Sequence, residues 1–452
     1  MRAKVLLVYK NVAAHFITIL ILTSCAFDHH KSLYKQKPAH YSYIIGNIRN
    51  NHVDMEHFSD VYATPASCQK VITALLAYKT LGSSYVYETK LYVLKRNSKI
   101  YDIIISFSGD PTLTSEDLIK LLKPLEGKTI PGHIVLDASL YRTPPHSPNI
   151  MIDDVGTSYG QPISSMIIDE NLVIINVAPG SIGDYARINN DSGYPMDSSV
   201  ITNLALSNAK VTWRGDAIMA KGNINMNGNS SKIKLSPKKI EDYALYKIKN
   251  IMNILKIKGK VKIVNDKSKI PNNLTLLNKG NSKPLGEIIP PALKRSDNLV
   301  FDNIYLNIIN LQSPEGIEDW GDGNKIIKSL IYKSFGVDVN NALFVDGSGL
   351  SRYNRLQPRK LFQILKQGYT NHEFVTALSS PMELNSTLAT RNNLPNYIKA
   401  KTGSMSGISC LCGYDTRQHA PKAFVVMSSN FSPPLGEIFT ITDRFITYHL
   451  GR

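Results

Sequence analysis

The chain has 452 residues, of which 43% are hydrophobic and 19% are charged, and its formal net charge at pH 7 is +16. This composition allows a sizeable buried core with more than one domain and excludes a disordered chain, while four cysteines are too few for a disulfide scaffold. The positive charge suits an anionic neighbourhood such as membrane lipid or an anionic polymer. No zinc spacing, basic-aromatic RNA motif or helix-turn-helix pattern indicates nucleic acid.

Residues 1–25 have the pattern of an export signal. A basic start is followed by an apolar run from about Val12 to Leu22, which is short for a membrane span. The run ends in a Leu-Thr-Ser-Cys sequence at Cys25, which fits a lipobox and predicts lipid attachment there. Ordinary signal cleavage after Ala26 is the alternative. The segment therefore predicts an exported protein that could associate peripherally with a membrane through its N-terminus.

The first predicted helix follows two predicted strands, residues 41–48 and 53–62. Thr64 is a candidate N-cap for this helix, and Pro65 suits its first position. An apolar stripe at helical spacing follows, and Gly82 is placed to end the helix. Ser67 and Lys70 then lie in the first turn, three residues apart on one face.

From about residue 85 the pattern becomes rich in strands, and residues 85–275 are predicted to form an insert with its own cores. Predicted strands in the insert are residues 89–94, 101–107, 133–137 and 171–177. Residues 114–117 have the arrangement of a capping box, and a longer helix is predicted from about Ile240 to Leu255. Lysines in residues 231–270 alternate with apolar side chains, which we interpret as solvated faces of a helix and strands.

A helix-rich pattern returns after the insert, near residues 284–310, 324–335 and 358–370. Strands follow near residues 397–402, 407–416 and 421–429, and a last helix begins at about Pro434. Pro290 and Pro291 fall inside the first of these helices, where proline removes a backbone hydrogen bond. We therefore expect that helix to start later or to be kinked. Residues 26–84 and 276–452 are predicted to form one domain that the insert interrupts.

Three short motifs stand in order along the chain: Ser67-Cys68-Gln69-Lys70, Ser296-Asp297-Asn298 and Lys401-Thr402-Gly403. Each is weak alone, because a capped surface helix, a helix-to-loop transition or a strand-end turn would explain it. The ordered set is strong, because it supplies the nucleophile, base, proton relay and anion-binding strand of a serine-acylation site. Cys68 could itself be read as a nucleophile. Lys70, however, lies three residues after Ser67, which is the spacing that pairs a lysine with the serine. We therefore interpret Cys68 as a packing residue.

The first two motifs predict how a hydroxyl is activated. A serine such as Ser67 needs an adjacent base at neutral pH, and Lys70 serves only if its ammonium loses a proton. Burial and the second cation Lys401 would both favour that loss. Ser296 would return the proton to the leaving amine, and Asn298 would hold Lys70 and the substrate amide. The helix N-terminus at Ser67 also offers free N–H groups to an oxyanion.

The third motif reads as the end of an edge strand. There, Lys401 and Thr402 would bind a substrate carboxylate, and Gly403 would let the substrate backbone approach closely. The N–H of Ser404 would pair with that of Ser67 to hold an oxyanion. This strand therefore predicts where the substrate lies.

These motifs and their surroundings resemble the D-alanyl-D-alanine carboxypeptidase/endopeptidase branch of low-molecular-mass penicillin-binding proteins, the class C branch with inserted domains. The resemblance covers most of residues 41–430 and extends to residues 64–67, 109–113 and 346–352. It implies an α/β (α+β) fold: a transpeptidase-like serine hydrolase domain, with an antiparallel sheet flanked by helices, interrupted by a large, mostly β insert. The long insert separates this branch from class A β-lactamases, and a lipobox is unusual for the branch.

The resemblance implies a periplasmic, serine-type hydrolase of peptidoglycan stem peptides, tethered to the outer membrane if Cys25 carries lipid. It would remove the terminal D-alanine, cut D-alanyl–diaminopimelyl cross-bridges, or both. β-Lactams are the implied covalent inhibitors, and no metal, organic cofactor or nucleic-acid partner is expected. Two alternatives remain: a β-lactamase, which would need an efficient deacylating base, and a non-catalytic wall-binding protein of the same fold, against which the intact motifs argue.

The resemblance also implies roles for individual residues. Ser67 would form the acyl-enzyme, Lys70 would accept its proton, and Lys401 would bind the carboxylate or activate Ser296. An acidic residue from the insert, here Asp153 or Asp154, and an arginine near a Gly-Ser-Gly-Leu segment approach the substrate in that family. The implied catalytic residues are Ser67, Lys70, Ser296 and Asn298; the implied substrate-binding residues are Lys401, Thr402, Ser404, Asp154 and Arg352.

Overall fold

The computed structural model describes residues 39–50, 52–313, 316–417, 419 and 421–451, so the predicted export signal and lipobox lie outside the described residues. No helix within these ranges has the length and apolar character needed to cross a bilayer. In chain order the α-helices are α1 (Gln69–Thr80), α2 (Ser115–Leu122), α3 (Ile240–Ile254), α4 (Leu285–Arg295), α5 (Asn298–Gln312), α6 (Trp320–Phe335), α7 (Pro358–Gly368), α8 (His372–Ala377) and α9 (Leu435–Leu450).

The strands form several separate sheets. In chain order they are β1 (His40–Asn47), β2 (Val53–His57), β3 (Glu88–Arg96), β4 (Lys99–Ser106), β5 (Thr129–Asp137), β6 (Val173–Ala178), β7 (Arg187–Asn190), β8 (Met196–Asn203), β9 (Lys210–Arg214), β10 (Ala217–Asn225), β11 (Ser231–Leu235), β12 (Lys258–Val264), β13 (Thr275–Asn281), β14 (Ile398–Met405), β15 (Ile408–Asp415) and β16 (Lys422–Ser429). The sheet orders are β14-β15-β16-β1-β2, β12-β5-β4-β3-β13, β8-β10-β9 and β11-β6-β7.

The sheet β14-β15-β16-β1-β2 is antiparallel throughout and is covered on both faces. Successive side chains of a strand point to opposite faces, so Tyr43 and Ile45 of β1 pack against α9 in one core. Ile44, between them, joins the second core with α1, α5 and α7. Burying each such apolar side chain contributes roughly 1.5–3 kcal/mol. The two stretches of chain that flank the insert therefore fold as one layered unit.

Helix α1 runs through this second core and is buried along most of its length, from Gln69 to Tyr78. Gly82 adopts a positive φ of 85° just beyond it and donates its N–H to the helix, which confirms the predicted end. Thr64 does not cap the helix as predicted. Its hydroxyl accepts a hydrogen bond from Arg355 at 2.6 Å instead, and a 3-10 turn, Ala66–Cys68, precedes α1.

The insert has its own core, built on the sheet β12-β5-β4-β3-β13 with α2 and α3 packed against it. Its strands β4, β5 and β12 are parallel neighbours. The predicted capping box is present at the start of α2, where Thr114 and Asp117 bond each other's backbone N–H. Strand β13 pairs with β3, so this sheet extends to Asn281, beyond the predicted end of the insert at residue 275.

Candidate active site

Ser67 lies in the 3-10 turn before α1, and Lys70 lies in the first turn of α1, so the two side chains are neighbours. The Lys70 Nζ atom donates to Ser67 Oγ at 2.9 Å, to Asn298 Oδ1 at 2.6 Å and to the Ser348 carbonyl oxygen at 2.7 Å. Lys70 is 0% exposed, whereas Ser67 is partly exposed. The predicted nucleophile therefore reaches solvent, while its predicted base is held in the interior by three acceptors.

Burial and the Lys401 ammonium lower the pKa of Lys70 from its usual value to about 7, although nearby carboxylates oppose the shift. Burial also lowers the pKa of Lys401, to about 8. A lysine pKa near 7 leaves much of the amine unprotonated at neutral pH. Lys70 can therefore accept a proton from Ser67 under ordinary conditions, as the sequence predicts.

The second motif occupies the corner between α4 and α5. Ser296 ends α4 in a left-handed conformation, with φ of 62° and ψ of 45°, and Asp297 caps α5 by accepting the Val300 N–H at 3.2 Å. Helix α4 begins at Leu285 and contains both Pro290 and Pro291, which excludes the late start, the first of the two expected alternatives; the kink stays a prediction. The tight corner directs Ser296 to the second lysine and Asn298 to the first.

The third motif lies on β14, which is the edge strand of its sheet as predicted. The Lys401 Nζ atom donates to Ser296 Oγ at 2.9 Å, and Thr402 Oγ1 bonds Thr387 Oγ1 at 2.6 Å. Strand β14 continues to Met405, so Lys401 lies within the strand and not at its end. Each lysine thus bonds one serine of the motifs: Lys70 bonds the Ser67 hydroxyl, and Lys401 bonds the Ser296 hydroxyl.

Gly403 has a role that the sequence did not indicate. A Cβ atom at this position would lie within 3 Å of the backbone atoms Pro65 O, Ser67 N and Cys68 N. The glycine therefore makes room for the nucleophile's own turn, and the close approach of substrate backbone to Gly403 stays a prediction. Hydrogen-bonded pairs alternate along antiparallel strands, and the Met405–Ile408 pair closes a two-residue turn. The neighbouring Ser404 N–H therefore points away from β15, at the edge where the Ser67 N–H lies.

Asp154 and Arg352 flank the motifs from two other segments. Asp154 accepts the Tyr159 hydroxyl at 3.0 Å, and the Tyr159 carbonyl accepts the Asn298 side-chain amide at 2.8 Å. The guanidinium of Arg352 donates to the Ser406 carbonyl at 3.4 Å, beyond the end of β14. The insert thus reaches the second motif, and the segment after α6 reaches the third.

Cys68 is fully buried and its thiol donates to the Lys401 carbonyl at 3.3 Å, on the far side of the turn from solvent. The thiols of Cys410 and Cys412 lie beside it, and all three are free. A buried thiol has no access to a substrate, so this geometry agrees with the packing role expected for Cys68.

Sequence reasoning missed four residues that support the site: Tyr159, Asp302, Asp346 and Thr387. Asp302 offered a signal, because a carboxylate four residues after Asn298 interrupts an otherwise apolar helix face. Asp346 opens the segment 346–352 that the resemblance marks, but no role was assigned to it. Tyr159 and Thr387 carry no local pattern that connects them with the motifs.

A serine bonded by a buried lysine, beside an edge strand that carries a second lysine, places this chain among the penicillin-interacting serine hydrolases. The model of the D-Ala-D-Ala carboxypeptidase 3 (S13) family matches residues 31–438. The chain belongs to this family, and it is a peptidase of the serine D-alanyl-D-alanine carboxypeptidase type.

Curated relatives agree with this assignment. The D-alanyl-D-alanine carboxypeptidase DacB of Haemophilus influenzae is 26% identical over 427 residues, which cover 89% of this chain and 87% of that protein. A D-alanyl-D-alanine carboxypeptidase of an Actinomadura species is 24% identical over 405 residues, which cover 82% of this chain and 74% of its own.

Solved structures confirm the predicted fold. The crystal structure of penicillin binding protein 4 (dacB) from Haemophilus influenzae superposes with a TM-score of 0.78 at 25% identity, over 93% of this chain and 98% of that one. A predatory peptidoglycan endopeptidase from Bdellovibrio bacteriovorus shares the fold at 15% identity, with a TM-score of 0.53 over 91% of this chain and 92% of its own.

Proposed function

We propose that the chain hydrolyses the terminal D-alanyl-D-alanine bond of peptidoglycan stem peptides through an acyl-enzyme on Ser67. The observation that carries this proposal is the 2.9 Å contact between Lys70 Nζ and the partly exposed Ser67 hydroxyl. Relatives that are named D-alanyl-D-alanine carboxypeptidases support the substrate class.

In the acylation step, neutral Lys70 takes the Ser67 proton as Oγ attacks the carbonyl carbon of the penultimate D-alanine. The oxyanion that forms accepts hydrogen bonds from the backbone N–H groups of Ser67 and Ser404, which favour the transition state because they are already in place. The C–N bond then breaks, and Ser296 donates a proton to the departing D-alanine amine. Lys401 Nζ, 2.9 Å from Ser296 Oγ, resupplies that proton.

Lys401 and the Thr402 hydroxyl bind the terminal carboxylate of the substrate. The cation is buried and fixed by the Thr402 carbonyl at 2.7 Å, so its attraction for a carboxylate is screened less than at an exposed site. Asn298 orients the substrate amide with its side chain, and Asp154 and Arg352 contact the stem peptide further from the scissile bond. Before deacylation Lys70 loses the proton it took from Ser67 to solvent, and Lys401 regains a proton from solvent. Water then attacks the acyl carbon as neutral Lys70 accepts its proton, the ester C–O bond breaks, and Lys70 returns that proton to Ser67 Oγ.

We also propose that the protein works in the periplasm and associates with the membrane through lipid on Cys25. The support is the sequence pattern of residues 1–25. Incorporation of radiolabelled palmitate into wild-type protein, but not into Cys25→Ala, is the expected result. Equal labelling of both would contradict the proposal.

Purified protein should be given a stem pentapeptide ending in D-Ala-D-Ala, a cross-linked stem-peptide dimer and penicillin in parallel. We expect D-alanine release from the pentapeptide and a stable covalent adduct with penicillin. Dimer cleavage would add endopeptidase activity. Rapid consumption of penicillin without peptide hydrolysis would identify a β-lactamase, and folded protein that neither hydrolyses peptide nor forms the adduct would overturn the proposal.

The rate of acylation should rise as pH increases through about 7, because the pKa of Lys70 is lowered to about 7 and only its neutral form accepts the Ser67 proton. It should fall again above about 8, where Lys401 loses its proton and its attraction for the substrate carboxylate. The measurement is kcat/KM for D-alanine release between pH 5 and 10 at constant ionic strength. A rate that climbs steadily to pH 10 would show that Lys70 titrates as an ordinary lysine.

A further inference from the structure

The segment from Asp346 to Ser351, which we call the cradle loop, has no part in the proposed chemistry, yet it contacts the Lys70 face of α1. Three consecutive carbonyl oxygens of the loop accept side-chain donors from α1. Gln69 Nε2 bonds the carbonyl of residue 346 at 3.3 Å, Thr73 Oγ1 that of residue 347 at 2.7 Å, and Lys70 Nζ that of residue 348 at 2.7 Å. The loop and α1 are therefore joined at the amine of the base.

Four N–H groups of the same loop donate to two buried carboxylates. Asp302 Oδ1 accepts the N–H of residue 347 at 3.0 Å and that of residue 348 at 2.7 Å. Asp346 accepts the N–H of residue 349 at 2.7 Å, that of residue 351 at 2.6 Å and the Asn354 side-chain amide at 2.8 Å. The exposed fractions of Asp302 and Asp346 are 4% and 0%. Hydrogen bonds to a charged group are stronger than neutral ones, so these carboxylates fix the loop's path.

One peptide unit connects a carboxylate directly with Lys70. The Gly349 N–H bonds Asp346 Oδ1, and the carbonyl of the same peptide, from Ser348, bonds Lys70 Nζ. A carboxylate at the N–H end makes the carbonyl oxygen a better acceptor, because hydrogen bonds in a chain polarise one another. Asp346 thus strengthens, through this one peptide unit, the hydrogen bond between the Ser348 carbonyl and the Lys70 amine.

The cradle loop also lacks room to move. A Cβ atom at Gly347 would lie 2.3 Å from the Phe301 carbonyl oxygen of α5, and one at Gly349 would lie 1.9 Å from the Ala66 carbonyl oxygen. Gly349 has a φ of 81°, which other residues rarely adopt. The loop is therefore wedged between α5 and the turn that carries Ser67.

We propose that Asp302 and Asp346 are positioning residues, which hold the cradle loop so that the Ser348 carbonyl aims the Lys70 amine at the Ser67 hydroxyl. This inference rests on the proposed role of Lys70 as the base. Four charged groups surround that amine: Lys401 from β14, Asp297 from the corner before α5, Asp302 from α5 and Asp346 from the loop. The three carboxylates raise the pKa of Lys70, against burial and Lys401, which lower it. The positioning residues thus affect both the direction and the protonation of the base.

Asp302 is the better residue to test, because an amide oxygen can still accept both loop N–H groups. Asp302→Ala removes the acceptor, and we expect the rate of acylation by fluorescent penicillin to fall about 10- to 100-fold. Asp302→Asn should recover most of that rate. Asp110→Asn is the matched control, since Asp110 is also buried and accepts a backbone N–H, from Thr112 at 2.8 Å, but belongs to the insert.

The pH profile separates positioning from a general loss of stability. Burial and the neighbouring Asp346 raise the pKa of Asp302, whereas Lys70 and Ser348 lower it. Above that pKa Asp302→Asn removes a negative charge that faces Lys70, so the acid limb of its acylation profile should move to lower pH, whereas the Asp110→Asn profile should match the wild type. A folded Asp302→Ala with the wild-type rate, or a folded Asp302→Asn that acylates as slowly as Asp302→Ala, would overturn the inference. Wild-type labelling that Ser67→Ala abolishes tests the proposed function by itself, so the two proposals can fail separately.

Discussion

Ser67→Ala is expected to abolish covalent labelling by fluorescent penicillin and release of D-alanine from a stem pentapeptide. The Ser67 oxygen is the atom that would form the ester bond with the substrate or the penicillin. A water molecule cannot replace it, because the acyl group would then not be attached to the protein. The substitution removes one oxygen from a partly exposed side chain whose bond to Lys70 is one of three that the amine makes. The variant should therefore fold, and a near-wild-type melting temperature would verify this.

The matched control is Cys68→Ala, at the adjacent position in the same turn. Its thiol is buried and bonds a carbonyl, so labelling should persist at close to the wild-type rate. Loss of labelling in Cys68→Ala with retention in Ser67→Ala would show that the neighbouring thiol is the nucleophile. Mass spectrometry of the labelled wild-type peptide locates the adduct independently.

Lys70→Met should slow acylation by about 10²- to 10⁴-fold, the usual contribution of a general base. Methionine nearly fills the space of the lysine stem but cannot take the Ser67 proton. The change leaves Asn298 Oδ1 and the Ser348 carbonyl without their donor, at a cost of about 1–3 kcal/mol for the buried Ser348 carbonyl. Some stability should therefore be lost along with the activity, and the acylation rate of the folded fraction is the quantity to measure.

Lys79→Met is the control for Lys70→Met, because Lys79 lies near the end of the same helix and is exposed. We expect it to acylate at the wild-type rate. A Lys70→Met variant that still acylates at that rate would require another base for Ser67. The pH profile would then also lose its proposed assignment to Lys70, so the two measurements check each other.

The predictions that the structure confirms depend on residues close together in sequence. The capping box at Thr114 and Asp117 and the helix end at Gly82 involve hydrogen bonds that span only a few residues. The spacing of Ser67 and Lys70 likewise fixes their contact once α1 forms. These local structures depend little on contacts with distant parts of the chain, so the sequence is enough to predict them.

The contacts that the sequence did not predict involve residues whose partners lie far away in sequence. Threonine is a residue type favoured at N-caps, but the Thr64 hydroxyl accepts a hydrogen bond from Arg355, 291 residues later. At Gly403 the sequence did not indicate the close contact with the backbone of residues 65–68. Local propensity is a weak prior that tertiary contacts override. Neither partner could be identified from the residues beside Thr64 or Gly403.

Three ordered motifs predict the chemistry of this protein from its sequence, because they supply a candidate nucleophile, base, relay and anion-binding strand. How the base is held depends on contacts that form only in the folded chain. Lys70 and the Ser348 carbonyl lie 278 residues apart, and Asp302 meets the cradle loop across 46 residues. The physical reason is that the amine's pKa and direction depend on burial and on charges brought together from four separate segments. No spacing within one segment encodes that arrangement.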